Sequence, residues 1–262
     1  MRIAPAGTDN IIAMMCGTCS NENAIKLMFM KYAEKMRAGR VDFTEQELAT
    51  AMVGEMPGIP KMCVISFHGS FHGRTIGCLS VTHSKPIHLV DIPLMGWPVC
   101  PYPRYRYPLA ENERYNQEQD DYCLARVEET IEAQLSGGCP AAGIIAEPVQ
   151  AEGGDHHGSG YWFRGLQRLC RKHDIQLIID EVQTGGGATG KMWCHEHFSL
   201  EEGADLVTYS KKMLAAGIYH KKDLAPKHPA RSSHHFYFSV KPDYKVDCLS
   251  GYSTRGLEKS PS

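Results

Sequence analysis

Ile175-Gln-Leu-Ile-Ile-Asp180-Glu-Val-Gln-Thr-Gly-Gly-Gly187 is a short apolar run that ends in an acidic pair and a glycine-rich turn. Its length, its β-branched content and the charge and glycine that bound it predict a buried strand, with Asp180 at the exit. Asp205-Leu-Val-Thr-Tyr-Ser-Lys-Lys-Met213 repeats the plan, with an apolar run over 206–209 and then Lys211 and Lys212. Met62 to Phe67 and Gly143 to Ala146 are runs of the same kind. Helical patterns lie over 120–134 and 161–172, and residues 20–37 place Ile25, Met28, Phe29, Tyr32 and Met36 at helical spacing, with Ser20 as a candidate cap. Buried strands alternating with helices predict an α/β domain built on a mainly parallel sheet flanked by helices. Ligands of such sheets sit beyond the carboxyl ends of the strands, where Asp180 and Lys211 are expected.

The composition bounds what this domain can do. Hydrophobic residues make up 42% and charged residues 22% of 262, with a formal net charge of -2. No apolar run approaches a membrane span. The scattered basic residues lack the electrostatic footprint of a nucleic-acid binder, so small molecules are the expected partners. Ten cysteines in a chain of this length do not make a disulfide scaffold, and a reducing compartment fits them best. The first residues show neither a signal peptide nor an organelle transit peptide, so cytoplasmic placement is expected if Met1 is the true start. Residues 91–109, with five prolines and four aromatics, are expected to form a surface loop. From Ser232 onward periodicity fades, and a disordered or extended tail is expected over 232–262.

An acid at one strand exit and an amine at another suit pyridoxal chemistry. A lysine amine forms a Schiff base with that cofactor, while a carboxylate beside the pyridine nitrogen keeps it protonated. Taken singly, an Asp after a strand is commonly a turn former and a Lys near glycine commonly a surface residue. The pair together is harder to dismiss.

An ordered set of segments then narrows the choice: Met15-Cys-Gly-Thr-Cys-Ser-Asn-Glu-Asn-Ala24, Phe71-His-Gly-Arg-Thr75, Thr82-His-Ser-Lys85, Gly143-Ile-Ile-Ala-Glu-Pro148 with Glu152-Gly-Gly, Asp180 to Gly187, and Ser210-Lys-Lys-Met213. With these the chain resembles the class-III aminotransferases, a fold-type-I pyridoxal-phosphate family, from about Ile3 to Arg231. Within the family it is most similar to the branch that acts on 4-aminobutyrate. The resemblance implies a large cofactor-binding domain over 1–231 and a divergent tail over 232–262. It implies ping-pong transamination of 4-aminobutyrate with 2-oxoglutarate, giving succinic semialdehyde and glutamate. Another ω-amino-acid aminotransferase of the ornithine type, and a non-catalytic remnant that binds cofactor or a full-length subunit, are the alternatives.

The resemblance also assigns roles. Lys211 is the Schiff-base lysine, with Lys212 as the runner-up; Asp180 pairs with the pyridinium nitrogen, and Val182 and Gln183 line the ring that Phe71 stacks upon. Gly17 and Thr18 hold the phosphate, which also fits the N-terminus of the helix that follows them. Arg74 takes the substrate carboxylate, and Glu147 and Glu152 are the active-site glutamates, Glu152 pairing in the family with a C-terminal arginine. Lys85 lies in a matching segment, although a solvated lysine is as good an account of it. Cys16 and Cys19 form the one Cys-x-x-Cys of the chain, by itself a weak signal open to a reduced pair or a thiol redox pair. In the resemblance they imply a [2Fe–2S] cluster shared across a homodimer, and a mitochondrial matrix enzyme. Against the family's pattern the chain starts just upstream of the phosphate loop and loses the likeness after Arg231. Incompleteness at both ends, and weak or no turnover by the isolated chain, are therefore expected.

Overall fold

The structure is a computed structural model that describes residues 3–228. The expected tail over 232–262 and the last three residues of the expected domain lie outside the described residues. Helices α1 (Gly17–Met36), α2 (Glu45–Ala51), α3 (Ile76–Leu79), α4 (Glu113–Ser136) and α5 (Gly160–His173) accompany strands β1 (Asn10–Met14), β2 (Cys63–Phe67), β3 (Val99–Cys100), β4 (Ala141–Ala146), β5 (Val149–Gln150), β6 (His156–His157), β7 (Gln176–Asp180), β8 (Leu206–Tyr209) and β9 (Ala216–His220).

Seven strands form one sheet in the order β1-β9-β8-β7-β4-β2-β3, and β5 with β6 makes a small hairpin. The strands from β8 to β3 pair in parallel, whereas β9 is antiparallel to both of its neighbours. Strands β2, β4, β7, β8 and β9 are buried at every residue. Continuous burial of this kind requires cover on both faces of a sheet, hence apolar runs rather than alternation. Helices α1, α4 and α5 supply much of that cover. Ala24, Leu27 and Met28 of α1, Val127 of α4 and Trp162, Phe163 and Leu166 of α5 join the core at or near zero exposure. Each large apolar side chain so buried contributes about 1.5–3 kcal/mol.

Local chemistry explains the helix ends. Ser159 caps α5 by accepting the Trp162 N–H at 2.9 Å, and Asp174 ends it in the left-handed region at φ 52°. Arg171, Lys172 and His173 in its last turn face the negative end of the helix dipole. The exposed α2 stands on a capping box in which Glu47 accepts from Thr44 N at 2.7 Å and returns its own N–H to Thr44 Oγ1 at 3.1 Å.

Three expectations shift. Helix α1 begins at Gly17, not at residue 20, and Ser20 is not its cap: Ser20 is fully buried and its hydroxyl donates back to Cys16 O at 3.1 Å. The Cys16-to-Cys19 segment is itself the first turn. The proline-rich stretch over 91–109 contains β3, which prolines tolerate because it is an edge strand. Strands β1 and β9 have no distinct signature in the sequence, since their short mixed runs acquire strand geometry from pairing with each other and with β8.

Ile178 sits in the middle of the sheet with no exposed surface. Ile178→Ala is expected to cost about 2–5 kcal/mol, read as a lower urea midpoint with unchanged slope.

Candidate active site

Because β7 and β8 are adjacent and parallel, their carboxyl ends reach the same edge of the sheet. Asp180 is the last residue of β7, and Lys211 follows β8 after Ser210. A cleft of about 540 Å³ opens there, lined by Cys16, Gly17, Thr18, Asn21, Phe71, His72, Gly73, Arg74, Glu147, Ala151, Glu152, Asp180, Val182, Gln183, Ser210 and Lys211. Every residue assigned to the cofactor or substrate by the sequence lines it. Cys19 and Lys212 do not.

Asp180 is 3% exposed and accepts four hydrogen bonds. Asn21 Nδ2 and His72 Nδ1 meet its Oδ2 at 2.7 and 2.8 Å, while Val182 N and the Thr208 hydroxyl meet its Oδ1 at 3.0 and 3.4 Å. The Thr208 hydroxyl shares its single hydrogen between Asp180 Oδ1 and the nearer Asn21 Oδ1 at 2.7 Å, so the amide is oriented with its nitrogen toward the carboxylate. A buried carboxylate needs this many donors, and none of these is an ammonium or a guanidinium.

The neighbouring acid does something else. Glu181 is fully buried, accepts the backbone N–H and ring nitrogen of His195, both at 2.8 Å, and takes the Thr184 hydroxyl. It pins the turn over 181–187 to the core and does not face the cleft, so of the acidic pair only Asp180 is available to a ligand.

Lys211 is exposed, with its Nζ bonded to Gln183 Oε1 across the cleft mouth. Its backbone lies at φ 47°, a sparsely populated region for a residue with a side chain, and Leu214 at φ 52° closes the same short turn. The turn aims the lysine back over the strand ends.

Helix α1 presents its N-terminus to the cleft. Its first intrahelical bond is donated by Ser20 N to Cys16 O at 2.9 Å, so the N–H groups of Gly17, Thr18 and Cys19 have no partner inside the helix. Cys16 offers no side-chain cap and the first turn carries no acid. Gly17 is required sterically, because a Cβ there would fall 2.6 Å from Val182 Cγ1. Gly73, at φ 127°, brings the Phe71-to-Thr75 segment against α1, where Thr75 N donates to Thr18 Oγ1 at 3.3 Å. An uncapped, acid-free helix start built into a cleft is suited to an anion.

Glu147, 6% exposed, accepts Phe71 N–H at 3.0 Å. Burial pushes its carboxyl well above the usual carboxylate range, with the Asp180 charge adding to the effect. Glu152 at the rim pairs with Lys85 at 2.6 Å, which pulls its carboxyl below the usual range. Lys85 is thus ion-paired while its side chain stays about half exposed. Arg74 makes no ion pair among the described residues and lies 5.5 Å from the centre of the Phe71 ring. Phe71 itself meets His88 edge-on at 5.3 Å. Cys16 and Cys19 are both partly exposed, with their sulfurs 3.5 Å apart, and burial pushes the Cys19 thiol up. Asn21, His72 and Thr208 were not singled out by sequence. His72 lies inside a quoted motif, but nothing in one chain's spacing shows that its ring turns inward.

Comparison with known proteins agrees with this geometry. Residues 1–236 match the profile of the family described as aminotransferase class-III. The human mitochondrial 4-aminobutyrate aminotransferase is 48% identical over 231 residues, 88% of this chain and 46% of that protein. The 4-aminobutyrate aminotransferase of Dictyostelium discoideum is 47% identical over 232 residues, again 88% of this chain and 46% of that protein. The chain thus spans about half the length of the curated relatives it matches. Among solved structures, lysine aminotransferase from M. tuberculosis in its internal aldimine form superposes with a TM-score of 0.70 at 28% identity, covering 83% of this chain and 45% of that one. Ornithine aminotransferase from Toxoplasma gondii, at 20% identity and a TM-score of 0.58 over 83% of this chain and 42% of that one, shares the fold.

Glu147 supplies a test of the site's electrostatics. Its folded state holds the proton to higher pH than the unfolded chain does, so stability falls as pH rises above the ordinary carboxylate range of about 4.3. Glu147→Gln stays neutral throughout. Unfolding midpoints measured from pH 4 to pH 8 are expected to fall less in the variant than in the parent chain.

Proposed function

The chain belongs to the class-III aminotransferases, and from that premise we propose that it binds pyridoxal 5'-phosphate between Asp180 and Lys211 to transfer the amine of 4-aminobutyrate to 2-oxoglutarate. The products are succinic semialdehyde and glutamate. One observation carries this reading: a buried carboxylate held by donors that are neither ammonium nor guanidinium faces, across a cleft of about 540 Å³, a lysine at the exit of the adjacent strand.

The residues fit the cofactor. The Gly17 and Thr18 N–H groups at the uncapped start of α1 receive its phosphate, and the glycine leaves room beside Val182. Asp180, only 3% exposed, would take the ring nitrogen, and a carboxylate there favours the protonated ring. Val182 and Phe71 supply apolar contact, and Gln183 sits within reach of Lys211 Nζ. When bound, the cofactor supplies an electron sink for the carbon that carries the amine. Lys211 would act twice: its Nζ would be the covalent anchor, and once free that nitrogen would take the proton from the amine-bearing carbon and deliver it to the cofactor carbon that had carried the aldehyde. Arg74, with no acidic partner among the described residues, offers a planar fork to the substrate carboxylate. Lys85 holds Glu152 at 2.6 Å on the same rim.

Cys16 and Cys19 offer two sulfurs 3.5 Å apart on a partly exposed turn, half of the four ligands of a [2Fe–2S] cluster. A homodimer with a twofold axis at this turn would present the pair twice. The mitochondrial names of the mammalian relatives favour the matrix as the compartment. Anaerobic reconstitution with iron and sulfide is expected to give a charge-transfer band in a dimer and none in Cys16→Ser; a monomer without the band refutes the shared cluster.

The central test is spectroscopic. Lys211→Ala is expected to abolish the visible band of covalently bound pyridoxal phosphate, and an unchanged band would remove Lys211 from its role. Glutamate formed from 2-oxoglutarate with 4-aminobutyrate, set against ornithine as donor, reads the substrate.

A further inference from the structure

His72 has no role assigned above beyond its contact with Asp180, yet it is buried and fixed through both side chain and backbone. Its side chain has no exposed surface, and its Nδ1 lies 2.8 Å from Asp180 Oδ2. Its backbone is fixed on both sides: the N–H donates to Thr82 Oγ1 at 3.0 Å and the carbonyl accepts Asn21 Nδ2 at 2.8 Å. The same Asn21 nitrogen also reaches Asp180 Oδ2, so amide and imidazole converge on one carboxylate oxygen. The far nitrogen, Nε2, is buried and has no hydrogen-bond partner among the described residues.

These contacts determine the tautomer. A carboxylate oxygen cannot donate, so Nδ1 must carry the hydrogen that is shared with Asp180. A second N–H at Nε2 would be buried without an acceptor, at a desolvation cost that a bare nitrogen in the same place incurs to a smaller extent. The neighbouring His83 adds no cation, since burial, with His72 and His68 adding, pushes its imidazole down to about 4.

We propose that His72 is a positioning residue for the ring nitrogen of the cofactor: as the Nδ1–H tautomer it fixes the orientation of the Asp180 carboxylate without neutralising it. Two donors on Oδ2 and two on Oδ1 leave the carboxylate no freedom to rotate, and neither a lysine nor an arginine shares its charge. The full negative charge is then available to the one cation that enters the cleft opposite. Outer partners of this type commonly change affinity or activity by about 10–100-fold in metal sites. The inference rests on Asp180 meeting the ring nitrogen as proposed above, and it makes His72 act through Asp180 and not on the substrate.

The test separates that role from simple packing. Binding of pyridoxal 5'-phosphate is compared with binding of an analogue that has carbon in place of the ring nitrogen. For His72→Leu, affinity for the natural cofactor is expected to fall about tenfold, and affinity for the carbon analogue by less than about twofold, because the analogue has no nitrogen for Asp180 to meet. His72→Asn, whose amide nitrogen falls where Nδ1 lies, is expected to restore binding of the natural cofactor to within about threefold. Equal losses on both ligands, or His72→Asn as defective as His72→Leu, would overturn the proposal. A second measurement needs no ligand: heteronuclear NMR of nitrogen-labelled histidines in the cofactor-free chain, with the His72 ring assigned by the signal missing from His72→Asn, is expected to show that ring with hydrogen on Nδ1 and a bare Nε2. Hydrogen on Nε2 alone would overturn the proposal. If the unsubstituted chain binds neither ligand, the cofactor assignment fails, and the tautomer still decides the geometry claimed for His72.

Discussion

A carboxylate removed from water is the constraint around which this structure is arranged. Asp180 is tolerated inside the protein because Asn21, His72, Val182 and Thr208 converge on it from four separate parts of the chain. Helix α1 contributes Asn21, the segment after β2 contributes His72, the turn after β7 contributes the Val182 N–H, and β8 contributes Thr208. Removing any of these elements would leave charge without its donors, so the carboxylate ties the order of the sheet to the position of the helix.

The same arrangement produces the cleft. Parallel pairing of β7 with β8 brings two strand ends to one edge, and the start of α1 lies beside them because Asn21 must reach Asp180. Gly17 and Gly73 allow the approach: a Cβ at the first would strike Val182, and one at the second would fall 2.1 Å from Thr18 Oγ1. The uncapped N–H groups at the start of α1, a buried carboxylate and an amine thereby surround one volume. Glu181 shows how closely such roles are separated, since one residue beyond Asp180 the chain turns a second carboxylate into the core, where His195 and Thr184 satisfy it.

The rim behaves differently from the floor. Lys85 and Glu152 form a partly exposed ion pair, and Arg74 is exposed above the Phe71 ring. Exposed pairs of this kind contribute little to stability, typically under about 1 kcal/mol. They are free to rearrange when a charged substrate enters, whereas the donors around Asp180 are not. The floor around Asp180 is rigid, and the charge at the mouth is exchangeable.

Much of this was legible in the chain itself. The apolar runs ending at Phe67, Ala146, Ile179 and Tyr209 showed four strands, because a strand buried on both faces is apolar over its whole length and that signal is local. Asp180 and Lys211 stood at strand exits for the same reason, and motif order added Gly17, Thr18, Phe71, Arg74, Glu147 and Glu152. Strands β1 and β9, the true start of α1, the inward turn of Glu181 and the pairing of Lys85 with Glu152 were beyond its reach. So were Asn21, His72 and Thr208, whose roles arise from contacts between residues 28 to 187 positions apart. Periodicity and run length act over a few residues and sequence records them. Which strand lies beside which, and which polar side chain must turn inward to satisfy a buried charge, depends on packing across the whole domain, and tertiary structure alone decides it.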